Sequence, residues 1–408
     1  MKKKALITCR RQEEKMGRVY LLGAGASREL TFNLTTMDSA PKTRKTSKFC
    51  RDGPLSSGYF YDAHNFAQSI KGRLPIAASL NIGDNLSQYL CEYYNATFGR
   101  PISKGDILNN KATSRKINIE SLYLHIEKEI AGLEKKGKKS QSQDFHMNDP
   151  LVRICLIRHE LLTYIHRSLS LICYYCFSIY HKILASYIVN YGGNVISFNW
   201  DTLMDEEMQC TGKWNYRDGY GVKFKDIIYK SGKKQDTSLQ DKSNNIVFKP
   251  HGSINWYKKV NGENGLCLFI PVERNRRGGT LDILGASEYD KSRNQYYFTS
   301  VIPPGIKRKA FPDVWLQMKE VLEKADEIIA IGFSFNDNDG HVKEEFEGIN
   351  FGKDLKISLI DPNANRILSM YKDVFKTNNI VNTHSTLGNY CQWIVKQERM
   401  EELEILLQ

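Results

Sequence analysis

Short apolar runs that end in glycine, asparagine, histidine or aspartate organise the second half of this chain. Asn194–Phe198 reads as a strand ending at Asn199, and Ile246–Lys249 as a strand ending at His251. Glu327–Ile331 ends at Gly332 and Lys356–Ile360 at Asp361, with Val314–Ala325 and His341–Phe346 reading as helices around them. Near the N-terminus Val19–Leu22 is a further buried strand, running into the glycine turn Gly23-Ala24-Gly25-Ala26-Ser27. Strands alternating with helices predict an α/β fold built on a parallel, doubly wound sheet.

Between these parts, residues 60–190 read mainly as helix. Ser121–Leu133 places Leu122, Ile126, Ile130 and Leu133 at helical spacing. Lys135–Asp144 is polar and basic, an exposed linker. Leu151–Asn190 is apolar-periodic throughout, either two packed helices or one long one, and dry enough for a core or an oligomer contact. The expected division is therefore 1–60 for the first strand, glycine loop and a basic flap, 61–190 for an inserted helical subdomain, and 191–408 for the rest of the sheet domain. No internal repeat is present.

Composition adds limits. At 408 residues and 41% hydrophobic the chain can bury a large core, and 25% charged residues exclude global disorder. The net charge of +12 is local: residues 1–50 carry 12 basic against 4 acidic side chains. Asn33 to Phe60 reads as loop, and within it Pro41–Arg51 carries Lys42, Arg44, Lys45, Lys48 and Arg51 with no acid. That segment is either a solvated loop or a flap facing an anion. The nine cysteines are scattered and odd in number, which fits a reducing cytoplasm. Cys173 and Cys176 form one CxxC inside an apolar, helix-compatible stretch and read as buried thiols, with no second pair to complete a metal site. No signal peptide is legible, and the uncharged run Ser168–Tyr180 is 13 residues, short of the ~20 a membrane span needs.

The candidate chemistry sits at strand ends, where open α/β sheets bind ligands. Gly23–Ser27 is either a phosphate-binding loop or a structural turn. Asn199 and Asp201, in S-F-N-W-D, either face a pocket or cap a helix starting near Thr202. His251, in H-G-S, is either a base or a structural histidine. Gly332 and Ser334 lie in G-F-S-F. Asp361, in I-D-P-N, is either an acceptor for ribose hydroxyls or an N-cap with Pro362 at the first helical position. Taken singly, each bland reading suffices. Five such ends in one order are hard to accept as coincidence.

That order of motifs resembles the sirtuin catalytic domain across about residues 18–365. The resemblance implies a Rossmann-like sheet binding NAD. It places Gly23, Gly25, Ala26 and Ser27 at the diphosphate with Gly332 and Ser334 nearby, and Asp361 at the adenosine ribose. It puts Asn199 and Asp201 at the nicotinamide ribose and carboxamide, and makes His251 the catalytic base. Three departures stand out. The interval 253–331 holds only Cys267 where deacylating sirtuins carry two CxxC pairs. Phe198 stands where Gln is usual, and the G-I-P-x-F-R flap is absent. These departures make the chain similar to bacterial sirtuin-like NAD hydrolases of antiphage defence, with NAD as substrate, nicotinamide and ADP-ribose as products, and no metal. The alternatives are an NAD-dependent deacylase or ADP-ribosyltransferase, and a non-catalytic NAD or ADP-ribose sensor. The same likeness implies a homo-oligomer and a HerA-type ATPase or Argonaute-type partner. The basic excess lies beside the glycine loop, where a flap or a docking surface for a partner accounts for it, so no direct nucleic-acid binding is expected. With no span legible, no membrane contact is expected either.

Overall fold

The computed structural model describes residues 17–27, 29–35, 46–52, 57–70, 80–137, 149–175, 178–229, 243–259, 265–270, 285–290, 293–305, 311–335 and 339–398. Strand β1 (Arg18–Leu22) enters a 3-10 turn at Ala24–Ser27 and continues into β2 (Glu29–Thr35) and β3 (Thr46–Asp52). A helical block follows: α1 (Tyr59–Ile70), α2 (Asp84–Phe98), α3 (Lys104–Asn109), α4 (Lys111–Arg115), α5 (Ile119–Gly137), α6 (Pro150–Tyr175) and α7 (Ile179–Tyr191). Next come β4 (Asn194–Ser197), α8 (Leu203–Cys210), β5 (Phe224–Tyr229), β6 (Val247–Phe248), β7 (Trp256–Lys259), β8 (Leu266–Ile270), β9 (Ser287–Asp290) and β10 (Gln295–Thr299). The chain closes with α9 (Pro312–Glu323), β11 (Glu327–Ile331), α10 (Gly340–Glu347), β12 (Lys356–Ile360), α11 (Ala364–Phe375), β13 (Ile380–His384) and α12 (Leu387–Glu398).

Six strands form a parallel sheet in the order β13-β12-β11-β1-β4-β6. Counted by position in the chain, that is 6-5-4-1-2-3, the Rossmann order read from its far edge. Every residue of β11 is buried, as are Val19–Leu22 of β1, because helices cover both faces. The sheet core takes Ile183, Leu184 and Ile188 from α7, Met318 and Leu322 from α9, Phe346 from α10 and Ile394 from α12. Helix α7, expected within the inserted helical region, thus packs into the sheet domain.

The remaining helices build their own core. Leu122, Ile126 and Ile130 of α5 pack with Ile157, Leu161, Ile165 and Ile172 of α6, following the helical spacing of the sequence. Burial of each such side chain contributes about 1.5–3 kcal/mol. This core also contains Trp200, Leu203, Ile254 and Val301, so the helical block rests directly on the loops that leave β4 and β6. That contact is what places helical residues at the site.

Two features depart from the sequence expectation. The stretch from Asn33 to Phe60 is not all loop: β2 and β3 pair antiparallel, Glu29 opposite Asp52 through Thr35 opposite Thr46, and α1 begins at Tyr59. Thr, Phe and Cys placed among the lysines and serines carry the β preference that the charge pattern hides. Of the basic segment, Lys42, Arg44 and Lys45 lie outside the described residues, and Lys48 and Arg51 are described only as backbone in β3. The second feature is a further sheet, β5-β8-β7-β10-β9, antiparallel except for β5 against β8. Within it β10 alternates, with Tyr297 buried between the exposed Tyr296 and Phe298, but that local pattern does not reveal its partners.

Cys173 is buried in α6, and Cys176 lies outside the described residues. Among the described residues no helix is long and apolar enough to cross a membrane, and no three His, Cys, Asp or Glu side chains form a metal-sized cluster.

Candidate active site at the switch point of the sheet

Strand order reverses between β1 and β11, and their carboxyl ends open the crevice in which such sheets bind ligands. Backbone hydrogen bonds lace the ends together: Gly23 N to Ile331 O (3.0 Å), Gly25 N to Gly332 O (3.1 Å), Phe198 N to Leu22 O (3.0 Å) and Gly332 N to Ile360 O (3.0 Å). The two glycine turns nest backbone against backbone. A Cβ on Gly25 would lie 2.7 Å from the Gly332 Cα, and Gly332 itself sits at φ +58°. With Ala26 N donating to Gly23 O (2.9 Å), the N–H groups of Gly23, Gly25 and Ala26 are bonded within the protein. The glycines therefore supply close approach rather than free donors.

A cleft of about 590 Å³ opens over these turns. Gly23, Gly25, Ser27, Asn199, Asp201, His251, Gly332, Ser334 and Asp361 all line it. Ala26 does not; its methyl group is fully buried in the sheet core behind the loop.

One polar chain orders the centre. Asn199 Nδ2 donates to Gly23 O (3.0 Å) and to Ser27 Oγ (3.0 Å), and Ser27 Oγ donates to Asp201 Oδ2 (2.9 Å). The other oxygen, Asp201 Oδ1, accepts from Leu203 N (3.1 Å) at the start of α8. Asp201 is thus a turn-former one residue ahead of Thr202, the N-cap position of α8, and it lines the cleft as well. Asn199 has its amide plane fixed through Nδ2, which leaves Oδ1 as the acceptor it can offer a ligand. Asp361 Oδ1 accepts from Asn363 N (2.7 Å) in a turn, and α11 starts only at Ala364 with Asn363 as its N-cap residue. The aspartate is thus a turn-former at the cleft rather than the helix cap, and Pro362 precedes the helix.

His251 is 3% exposed. Its ring meets the edge of Phe198 at 5.1 Å and lies 5.6 Å from the His341 ring, and among the described residues Nε2 has no hydrogen-bond partner. Burial pushes its pKa down to about 3, His341 adds to the lowering, and a hydrogen bond with the Phe198 backbone opposes it. The imidazole is neutral at physiological pH. Its loop is pinned by Ile302 N to His251 O (3.0 Å), and Ile302 O in turn accepts from Trp200 Nε1 (3.1 Å).

Several contributors were not foreseen. Phe198 stacks on Phe333 at 4.6 Å and forms part of the cleft wall. The helical block brings Tyr59, Asn118, Glu120 and Leu169 to the same cleft. No local pattern in the sequence marks these four, because only tertiary packing brings them there. Lys249 did leave a signal, a charge closing an apolar strand just before Pro250.

Burial of histidine has a measurable cost. His166 and His251 are pushed down to about 3 and His181 to about 4, each mainly by desolvation. Unfolded histidine titrates near 6.5, so between that pH and about 4 the unfolded chain binds more protons than the folded one. Stability is intact above pH 6.5 and is lost as the pH falls. Each histidine costs about 1.4 kcal/mol per pH unit, so at pH 5.5 the three together remove about 4 kcal/mol. Thermal melts from pH 7.5 to 5.5 should show a steep fall in Tm; a flat profile contradicts the burial of these rings.

No family model matches the sequence, and no curated protein matches it. Among solved structures the chain is similar to a Sir2 homologue in complex with NAD, at 14% identity over 64% of this chain and 77% of that one, with a TM-score of 0.33. It is also similar to a mutant Sir2 homologue in complex with ADP-ribose, at 13% identity over 64% and 80%, with a TM-score of 0.34. The α/β, Rossmann-type architecture stands on the strand order itself.

Proposed function

We propose that this chain hydrolyses NAD at the nicotinamide N-glycosidic bond, releasing nicotinamide and ADP-ribose. The observation that carries the reading is the order of groups along the cleft. Neighbouring strands β12, β11, β1, β4 and β6 end in Asp361, Gly332, Gly23–Ser27, Asn199–Asp201 and His251 respectively. Four strand spacings cover about 19 Å, the scale of an extended dinucleotide. An acid able to accept ribose hydroxyls stands at one end, close-approach backbone for a diphosphate in the middle, and a neutral imidazole at the other end.

The chemistry follows from that placement. The C1′–N bond breaks with its electron pair going to the nicotinamide, which leaves neutral. The ribose C1′ becomes oxocarbenium-like, and water adds to it while His251 accepts the water's proton and returns it to solvent. A histidine with a depressed pKa suits this role: a protonated ring would repel the developing cation, and water attacking so electrophilic a carbon needs only a weak base. Asp201 and the Asn199 Oδ1 supply negative potential at the same end. The sequence between 253 and 331 offers no cysteine pairs for a zinc ribbon. The activity we propose is thus NAD depletion, as in antiphage defence, with a homo-oligomer and a separate protein controlling it.

The test is NAD consumption by the purified full chain, alone and assembled with its genomic neighbour's product, without acetylated peptide. Equal release of nicotinamide and ADP-ribose is expected. Nicotinamide release only with acetyl-lysine peptide would make it a deacylase, and label on a protein a transferase. Calorimetric NAD binding with no turnover in either assembly would overturn hydrolysis in favour of a sensor.

A further inference from the structure

The least expected buried group is a lysine. Lys249 is the residue after β6, two before His251, and its side chain has no solvent exposure. Its ammonium donates to the backbone carbonyl of Asp201 and to Asp205 Oδ2, at 3.2 Å for the latter. Asp205 stands on α8 with a side chain 1% exposed, and it also accepts from Tyr220 OH (2.6 Å). Asn255 Nδ2 reaches Tyr220 OH at 3.4 Å and closes the cluster. Asp205 Oδ1 is buried without a partner among the described residues.

An ion pair sealed this completely is a poor way to gain stability. Desolvation of two charges offsets most of their attraction, and an apolar pair of matched volume is often as stable or more so. What the lysine does that a methionine could not is hold a carbonyl. That carbonyl belongs to Asp201, in the turn that carries Asn199. The same turn meets the His251 loop at Ile254 N to Trp200 O (3.0 Å) and at Ser253 Oγ to Trp200 O (3.5 Å). The Lys249 contact is the charged member of this set, and it lies two residues before His251 in the chain.

We infer that Lys249 is a positioning residue of the active site: its ammonium ties the Asp201 backbone and the Asp205 carboxylate of α8 to the strand end that carries His251, and so sets the spacing between the Asn199–Asp201 turn and the imidazole. This rests on the NAD reading above. Lys249 touches no ligand and moves no proton. It acts through geometry, and an error of about 1 Å between reacting groups costs on the order of 100-fold in rate.

The experiment compares the full chain with Lys249→Met and with the double variant Lys249→Met, Asp205→Asn, whose side chains match the originals in size and remove both charges. Lys249→Met alone strands Asp205 and should lower Tm. The double variant should melt near the unaltered protein yet still turn over NAD about 100-fold more slowly, with KM within a few-fold. Hydrogen–deuterium exchange should rise in residues 199–203 and 250–254 in both variants, with β1 and β11 unchanged. Recovery of normal kcat in the double variant would overturn the inference, because the pair would then be structural alone. Should the unaltered protein prove unable to hydrolyse NAD, that failure belongs to the proposed function. The exchange comparison then decides the Lys249 inference by itself, and unchanged exchange in both loops overturns it.

Discussion

His251→Ala is expected to lower NAD turnover by about 100- to 10,000-fold while changing KM little, the range over which a positioned acid–base group contributes. The histidine is enclosed by Phe198 and His341, lines the cleft and leaves Nε2 without a partner among the described residues. Nothing in the polar chain of Asn199, Ser27 and Asp201 runs through the imidazole, so its removal leaves that network standing. Asn199→Ala differs in kind. It deletes the donors to Gly23 O and Ser27 Oγ and should raise KM as well as lower kcat. The pH profile gives an independent check. Since burial keeps the ring neutral down to about pH 3, kcat/KM should show no acid limb near 6.5 before the protein unfolds. An inflection at 6.5 would mean a solvated histidine, and full activity in His251→Ala would remove it from the mechanism.

Gly332→Ala is expected to damage fold and site together. Residue 332 sits at φ +58°, and its added Cβ would fall 2.4 Å from the Gly25 Cα and 2.6 Å from the Ala26 N, all backbone. No rotamer relieves that contact. The ends of β1 and β11 must separate, breaking the Gly25 N to Gly332 O bond (3.1 Å) and widening the crevice at its centre. The left-handed backbone alone costs about 1–2 kcal/mol, and the overlap brings the loss to about 3–5 kcal/mol, with NAD affinity lost alongside. Gly99→Ala is the control. Gly99 has φ +65° but nothing within 4 Å of its Cβ position, so it should show the backbone cost alone and keep full activity. Denaturant unfolding of the two variants, with calorimetry on NAD, separates the effects. Equal losses in both would mean the nested turns are not tight.

What the sequence reveals here is governed by the range of the interactions involved. Five strands of the parallel sheet are self-contained apolar runs, so the strand exits at Asn199, His251, Gly332 and Asp361 were legible from a few neighbours each. The edge strand β13, Ile-Val-Asn-Thr-His and mostly exposed, is no such run. The second sheet was not, because β5 pairs in parallel with β8 across 41 or 42 residues, a contact no local window contains. The split of Leu151–Asn190 into α6 and α7 was foreseen as one of two options, but not that α7 belongs to the sheet core. At the site, glycine spacing marked a turn without saying where its N–H groups go; three of them are spent internally and Ala26 faces away. Lys249 shows the opposite limit. Its charge was visible, while its partners Asp201 and Asp205 lie 44 or more residues earlier, on a separate turn and helix.

Strand β1 lies at the middle of the sheet, and its partner β11 comes from the far end of the chain: Arg18 reaches Glu327 across 309 residues. At about 5–20 residues per second, a ribosome needs roughly 15–60 s to pass from one to the other. Until β11 and β12 have emerged, one wall of the cleft does not exist, and the glycine turn has nothing to nest against. A chain that stops short of β11 therefore lacks the crevice altogether. Under the activity proposed above, the topology itself withholds turnover until β11 and β12 have been made.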